Sequence, residues 1–278
     1  MSGIGKLGLG TVQFGQAYGI SNTSGQVPIS ETGRILQQAA AAGITLLDTA
    51  ANYGAAESVL AELDTGPFRI VSKTIGIQHG LQAVIARARQ SAETLKADTL
   101  LVHAARDLAD DALWPALQDL KAQGVVRRIG ISVYVADDPA ELAARFRPDV
   151  MQLPFSLLDQ RLLADGTLGR LNDLGVEIHA RSLFLQGLLF LDTLPAKLKH
   201  AGPHLETLRR KIAEAGSTPL AAALAFVLAQ PEIAFGLVGV TGVRDLDEIL
   251  HAAKQPPPEL DWTACALNDD VVLTPSLW

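Results

Sequence analysis

Ile44-Thr45-Leu46-Leu47-Asp48-Thr49-Ala50-Ala51-Asn52-Tyr53-Gly54 is an apolar run that ends in a carboxylate and is followed by a phenol. The apolar residues predict a strand, and Glu57-Ser58-Val59-Leu60 beyond the glycine predicts a helix. Asp48 and Tyr53 therefore flank a strand-to-helix turn. The next two strand-like runs repeat the arrangement: Phe68-Arg69-Ile70-Val71-Ser72-Lys73 ends in an ammonium and Thr99-Leu100-Leu101-Val102-His103 in an imidazole. Three successive strands that each deliver ionisable groups at the C-terminal end read as one assembled site.

Outward from this stretch, short apolar runs alternate with longer helical patterns. Strands are expected at Leu7 to Gly10, Ile44 to Asp48, Arg69 to Lys73, Thr99 to His103, Arg128 to Ser132, Val150 to Pro154, Val176 to Arg181 and Phe235 to Gly239. Eight strands with helices between them predict an α/β fold, a (β/α)8 barrel with a parallel sheet. Helices are expected from Ser30 to Ala42 with Gly43 as the stop, Leu81 to Lys96, Asp111 to Gln123, and from Asp137-Asp138-Pro139 onward. Further ones are expected at Leu162 to Leu174, Leu205 to Ala215, Pro219 to Ala229 and Val243 to Lys254. Pro256-Pro257-Pro258 breaks the pattern, so residues 1–278 are expected to form a single barrel domain with a tail over about 256–278.

With 278 residues, 48% hydrophobic and 19% charged, the chain suits one large packed domain and carries no signature of disorder. Its formal net charge of -7 and the lack of a basic run argue against a nucleic-acid partner. The single cysteine, Cys265, excludes an intramolecular disulfide framework and a thiolate-rich zinc site, and reads as a small apolar residue. His79, His179, His200, His204 and His251 show no metal-ligand spacing, so no metal is expected. The first residues lack a signal-peptide core, and no apolar stretch reaches the ~20 residues that span a bilayer. Residues 221–229 are strongly apolar but stop at Gln230-Pro231 and are expected to form a buried helix. A cytoplasmic enzyme without a membrane partner, monomeric or weakly self-associating, is the expectation.

A free phenol has a pKa of about 10, and an ammonium within hydrogen-bond reach favours its ionised form. A carboxylate beside that ammonium keeps it charged and oriented. Asp48, Lys73 and Tyr53 thus form a relay for general acid–base work at a carbonyl or alcohol, and His103 would hydrogen-bond the same oxygen. A different reading of Lys73 is a Schiff-base aldolase, since a strand-end lysine in a barrel serves that chemistry too.

Here the chain resembles the aldo-keto reductase superfamily over nearly its whole length. Asp48-Thr49-Ala50-Ala51-Asn52-Tyr53-Gly54 is similar to that family's D-T-A-x-x-Y-G motif, and Lys73 and His103 fall on its other two catalytic positions. The resemblance implies a tetrad of Asp48, Tyr53, Lys73 and His103, with Tyr53 as proton donor to a carbonyl that receives a hydride from a nicotinamide, without metal. The reverse reaction, NAD(P)+-dependent oxidation of an aldose or alcohol, would use the same groups. A catalytically silent cofactor-binding regulatory subunit is a further reading, against which the intact tetrad argues.

The resemblance also implies cofactor contacts. Leu7-Gly8-Leu9-Gly10-Thr11-Val12-Gln13-Phe14-Gly15 resembles the family's first strand and loop, which brings Gly10 and Thr11 to the cofactor. Ser132 and Gln152 fall where relatives hold the carboxamide, while Val133 replaces the usual asparagine. Arg181 falls where many relatives stack an aromatic ring on the nicotinamide; a guanidinium plane would stack there too, or pair with an acid across the mouth. The run Arg181-Ser182-Leu183-Phe184-Leu185-Gln186-Gly187-Leu188-Leu189 resembles a bacterial branch linked to surface-polysaccharide and sugar metabolism, and adds Ser182, Leu183 and Gly187 to the contacts. The loop Gly239-Val240-Thr241-Gly242-Val243-Arg244-Asp245 would approach the phosphates through Gly239, Thr241, Gly242 and the helix N-terminus, with Arg244 on a 2′-phosphate. Glu248 would take the adenine side or be a plain surface residue. NADP(H) is the favoured cofactor, with NAD(H) the alternative. Phe14, Tyr18 and Trp278 are candidate walls for a small polar or sugar-like carbonyl or alcohol substrate.

Overall fold

Eight parallel strands close on themselves in chain order in the computed structural model, which describes residues 3–278. The strands are β1 (Leu7–Gly10), β2 (Leu46–Asp48), β3 (Arg69–Lys73), β4 (Thr99–Val102), β5 (Arg128–Ser132), β6 (Val150–Pro154), β7 (Glu177–Arg181) and β8 (Ile233–Gly239). β8 pairs with β1 through Gly8–Leu237 and Gly10–Gly239, which closes the ring. Outside it run α1 (Val12–Gly15), α2 (Ile29–Ala42), α3 (Ala56–Ala61), α4 (Leu81–Leu95), α5 (Leu113–Ala122) and α6 (Pro139–Phe146). They continue with α7 (Arg161–Ala164), α8 (Thr167–Asp173), α9 (Gly202–Glu214), α10 (Pro219–Ala229), α11 (Val243–Ala252) and α12 (Asp270–Leu273). The (β/α)8 expectation is met.

Local chemistry explains the departures. The single helix expected from Leu162 to Leu174 is two, because Gly166 adopts a left-handed φ of 76° between α7 and α8. α2 starts one residue before Ser30, with Pro28 rather than a serine hydroxyl at its N-cap, and ends as expected at Gly43 with φ 89°. Asp138 caps α6 by accepting from the Glu141 amide at 3.2 Å. α10 buries Ala221, Ala222, Ala223, Leu224, Phe226 and Val227, as its apolar composition requires. No single helix among the described residues is long and apolar enough to cross a bilayer. The tail packs on the flank of the barrel, where the Leu267 amide donates to the Leu158 carbonyl and the Gln160 amide to that of Trp262.

Strand alternation positions the site. Leu46, Val71, Leu101, Val150 and Leu237 form an apolar cluster separate from the larger one between barrel and helices, and this smaller cluster fills the lumen. Gly8 and Gly130 complete the layer without side chains: a Cβ on Gly8 would lie 2.7 Å from Leu237 Cδ2, and one on Gly130 2.6 Å from Leu101 Cδ2. Side chains two residues apart on a strand share a face. The next inward residues are therefore Gly10, Asp48, Lys73, His103, Ser132, Gln152 and Gly239, with Arg181 following His179 on β7. Below the apolar layer, Arg69 and Arg128 hold Glu177 at 2.5 and 2.6 Å, and the buried His179 ring meets it at 2.8 Å. Burial alone would raise the Glu177 pKa, but the hydrogen bonds from His179 and Arg69 outweigh it and hold the carboxyl far below its usual range. A charged plug thus closes the N-terminal end of the barrel, and the chemistry sits at the other.

Candidate active site

Lys73 is the centre of the C-terminal face. Its ammonium donates to Asp48 Oδ1 and Oδ2 at 2.8 and 2.7 Å, to the Thr49 carbonyl at 2.9 Å and to Tyr53 Oη at 3.2 Å. Only 1% of the side chain is exposed. Burial alone would favour the neutral amine, but the Asp48 carboxylate and the neighbouring Tyr53 outweigh it and hold the Lys73 pKa above its ordinary value. Asp48 is itself fixed from the far side of the barrel by Gln152, whose amide donates to Oδ1 at 2.7 Å. Thr11 fixes the Asp48 backbone, donating from both its amide and its hydroxyl to the Asp48 carbonyl at 3.0 Å.

His103 meets Tyr53 edge to face, with ring centroids 5.9 Å apart. Burial first, and the Lys73 ammonium second, push its pKa down to about 4. The imidazole is therefore neutral at neutral pH and keeps one N–H for a ligand oxygen. Its Nδ1 is buried without a partner among the described residues.

Backbone contacts also hold the Tyr53 turn. The Ala51 amide donates to the Lys73 carbonyl at 3.2 Å and the Ala55 amide to that of Gly15 at 3.1 Å. Glycine is obligatory on both sides of this contact. A Cβ on Gly15 would lie 1.8 Å from the Tyr53 carbonyl oxygen, and one on Gly54, where φ is 55°, 2.4 Å from the Gly15 oxygen.

A cavity of about 1110 Å³ opens above these groups and runs from Tyr53 and His103 to Thr241 and Glu248. Gly10, Asp48, Ser132, Gln152, Arg181, Ser182, Leu183, Gly187, Gly239 and Tyr18 also line it. The segment after β7 is bent to do so: Ser182, Leu185 and Gln186 have left-handed φ of 61°, 46° and 54°, a costly conformation for non-glycine residues. Gln186 then donates to Tyr18 Oη at 3.1 Å, tying two rim loops together. Burial first, then the nearby phenols of Tyr53 and Tyr134, raise the Tyr18 pKa.

Five expected contacts fall elsewhere. Phe14 is fully buried in the core, because the α1 turn directs it away from the mouth. Trp278 donates from Nε1 to the Val271 carbonyl and packs with the tail on the barrel flank. Thr11 is buried and spent on Asp48. Gly242 and Arg244 lie outside the cavity lining, and Arg244 is 89% exposed and tied to Glu248 at 3.0 Å. Three of the donors at and just before the start of α11 already serve carboxylates. The Val243 amide donates to Glu31 at 2.8 Å, and the Thr241 amide and hydroxyl to Asp245 at 2.8 and 2.7 Å. Arg181 has no carboxylate partner among the described residues: it lies over the Tyr134 ring, 4.3 Å from the centroid, and donates to the Val133 carbonyl at 2.9 Å.

Among the lining residues that carried no assignment from sequence are Gln13, Asn52, Arg106 and Tyr134. Arg106 lies three residues beyond His103 and Tyr134 two beyond Ser132, in the loops that follow those strands.

A model described as the Aldo/keto reductase family matches residues 6–266, and the chain belongs to that family. It is thus one of the carbonyl-reducing oxidoreductases, which act on small molecules and use nicotinamide cofactors. Proteins described as uncharacterized oxidoreductases from Mycobacterium tuberculosis and Mycobacterium bovis are 25% identical, the match covering 88% of this chain and 82% of theirs. An aldo-keto reductase from Bacillus halodurans, solved in its holo form, superposes with a TM-score of 0.74 at 19% identity, over 98% of this chain and 93% of that one. A protein from Pseudomonas aeruginosa described as a putative aldo-keto reductase gives 0.64 at 22%, over 90% of each chain. These two likenesses concern the fold.

A nicotinamide dinucleotide suits the cavity in size, which at about 1110 Å³ lies just above the roughly 300–1,000 Å³ typical of ligand sites. At Gly239 the Gln13 amide fills the place that a side chain would take, 2.7 Å from where a Cβ would lie. Gln13 Oε1, buried without a partner among the described residues, is an acceptor beside that space.

Gly15→Ala tests the backbone contact beneath Tyr53. The added methyl must displace the Tyr53 turn, so kcat is expected to fall at least about tenfold and stability by about 1–3 kcal/mol. Steady-state kinetics and thermal unfolding check it; a variant with wild-type values of both contradicts the packing.

Proposed function

We propose that this chain reduces an aldehyde or ketone on a small polar, sugar-like substrate to an alcohol, with Tyr53 as proton donor. The observation that carries this reading is the 3.2 Å hydrogen bond from Lys73 to Tyr53 Oη. Because the phenol oxygen accepts there, its own O–H is left to donate elsewhere, and Tyr53 lines the cavity. When bound, a nicotinamide dinucleotide supplies the hydride. The carbonyl carbon gains that hydride, its π pair moves to oxygen, and Tyr53 protonates the oxygen. Lys73 offsets the charge left on the phenolate, while Asp48 keeps Lys73 protonated. Neutral His103 offers an N–H to the same carbonyl oxygen and orients it. In the oxidising direction Tyr53 takes the alcohol proton instead.

The same hydrogen bonds argue against the aldolase reading. A Schiff base requires a neutral amine with a free lone pair. Lys73 spends its protons on Asp48, Thr49 and Tyr53 and is held charged.

In cofactor choice, family resemblance favours NADP(H), but the charges around the start of α11 favour NAD(H). Glu31 and Asp245 engage the Val243 and Thr241 donors and place negative charge where an adenosine 2′-phosphate would approach, and Arg244 is held by Glu248 in solvent. We therefore favour NAD(H) for this chain.

Tyr53→Phe tests the proton-donor role with glyceraldehyde as substrate. Turnover is expected to fall by about 10²–10⁴-fold, with the cofactor Kd, read by fluorescence quenching, unchanged. Retained turnover would remove Tyr53 from the role. The same titration of the wild-type protein is expected to show NADH binding at least as tightly as NADPH; tenfold tighter NADPH would contradict the carboxylate argument.

A further inference from the structure

Two guanidinium groups line the cavity without a carboxylate partner among the described residues. Arg181, at the end of β7, is partly buried, and its plane is fixed by the Tyr134 ring at 4.3 Å. Its polar partners are neutral: the Val133 carbonyl at 2.9 Å and the Ser182 hydroxyl at 3.4 Å. A guanidinium carries five N–H donors, so most of its hydrogen-bonding capacity is unspent. Arg106 stands exposed at the rim, in the loop that begins at His103.

The acids that line the same cavity are all engaged. Asp48 is matched by Lys73, Glu248 by Arg244, and Asp245 accepts from Thr241. Asp245 and Glu248 belong to α11, whereas the two arginines share the end that holds Tyr53 and His103. Arg181 lies close enough to depress the His103 pKa, after burial and Lys73. The carbonyl end of the cavity therefore carries positive charge that the chain does not neutralise. A partly buried cation is costly unless it is paired, and a planar fork held against an aromatic ring suits a carboxylate or phosphate.

We propose that the carbonyl substrate carries an anionic group, a carboxylate or a phosphate, which pairs with Arg181, and that Arg106 draws it to the rim. This rests on the reductase reading above and narrows its substrate class. Pre-fixing the guanidinium on Tyr134 lowers the ordering cost of binding. The Val133 backbone carbonyl orients Arg181 from the other side.

Two matched pairs of aldehydes test this: 4-carboxybenzaldehyde against its neutral methyl ester, and glyceraldehyde 3-phosphate against glyceraldehyde. With NADH and NADPH each in turn, kcat/KM for the anionic member of at least one pair is expected to exceed that for the neutral one by about 10- to 100-fold. The pair that shows it distinguishes carboxylate from phosphate. In Arg181→Met this preference is expected to collapse to about unity, and in Arg106→Met to weaken and lose its salt dependence. Equal or better use of the neutral member of both pairs by the wild-type protein overturns the anionic substrate and leaves the reductase reading standing. Turnover of no aldehyde with either cofactor overturns that reading and the proposal with it. An anion preference that survives in Arg181→Met, with cofactor Kd raised tenfold or more, assigns the guanidinium to the cofactor's pyrophosphate and also overturns the proposal.

Discussion

The Lys73 ammonium sits where water barely reaches, and the C-terminal face of the barrel is arranged around keeping it charged there. Taking an ammonium out of water costs several kcal/mol unless its partners replace the lost hydration. Asp48, Thr49 and Tyr53 do so, and they come from one strand end and the turn that follows it. The β2–β3 register puts Asp48 opposite Val71, and the tilt of the strands brings Lys73 up beside it. Gln152 reaches Asp48 from β6, so the carboxylate is clamped from two sides of the lumen. Loss of Asp48 or Lys73 alone leaves the other's buried charge uncompensated, which ties the stability of the barrel mouth to this pair.

Above that pair the cavity is divided electrically. At one end the phenol of Tyr53, the neutral ring of His103 and the fixed guanidinium of Arg181 share a small volume. At the other, carboxylates of α2 and α11 take up the Val243 amide and the Thr241 donors. The rim between them is built from backbone held in left-handed conformations after β7, joined to the first rim loop by Gln186 and Tyr18. Strain of that kind persists where surrounding contacts over-determine it, and here the contacts belong to the walls of the cavity.

The fold and the meeting of Asp48, Tyr53, Lys73 and His103 were legible because both follow from short-range pattern. Leu46 and Asp48, Val71 and Lys73, Leu101 and His103, and Val150 and Gln152 are each two apart on an alternating strand. An apolar lumen residue thus announces the polar one above it. What stayed hidden depends on contacts distant in sequence. Glu31 reaches the Val243 amide across 212 residues, and no local pattern reveals that this first helical amide is already engaged. Phe14 and Trp278 were read as pocket walls because aromatic residues suit that role, but the direction of a one-turn helix and of the tail sends them into packing. Arg181 lines the cavity, and its partner, the Tyr134 ring, lies on another strand's loop.

The most direct test of the central pair is a mutant cycle on kcat with Asp48→Asn, Lys73→Met and the double variant, each checked for folding by thermal unfolding. If Asp48 acts through Lys73, the double variant loses no more activity than Lys73→Met alone, because nothing is left for the carboxylate to hold. Losses that multiply would show that the two groups serve the reaction independently, and would contradict the account.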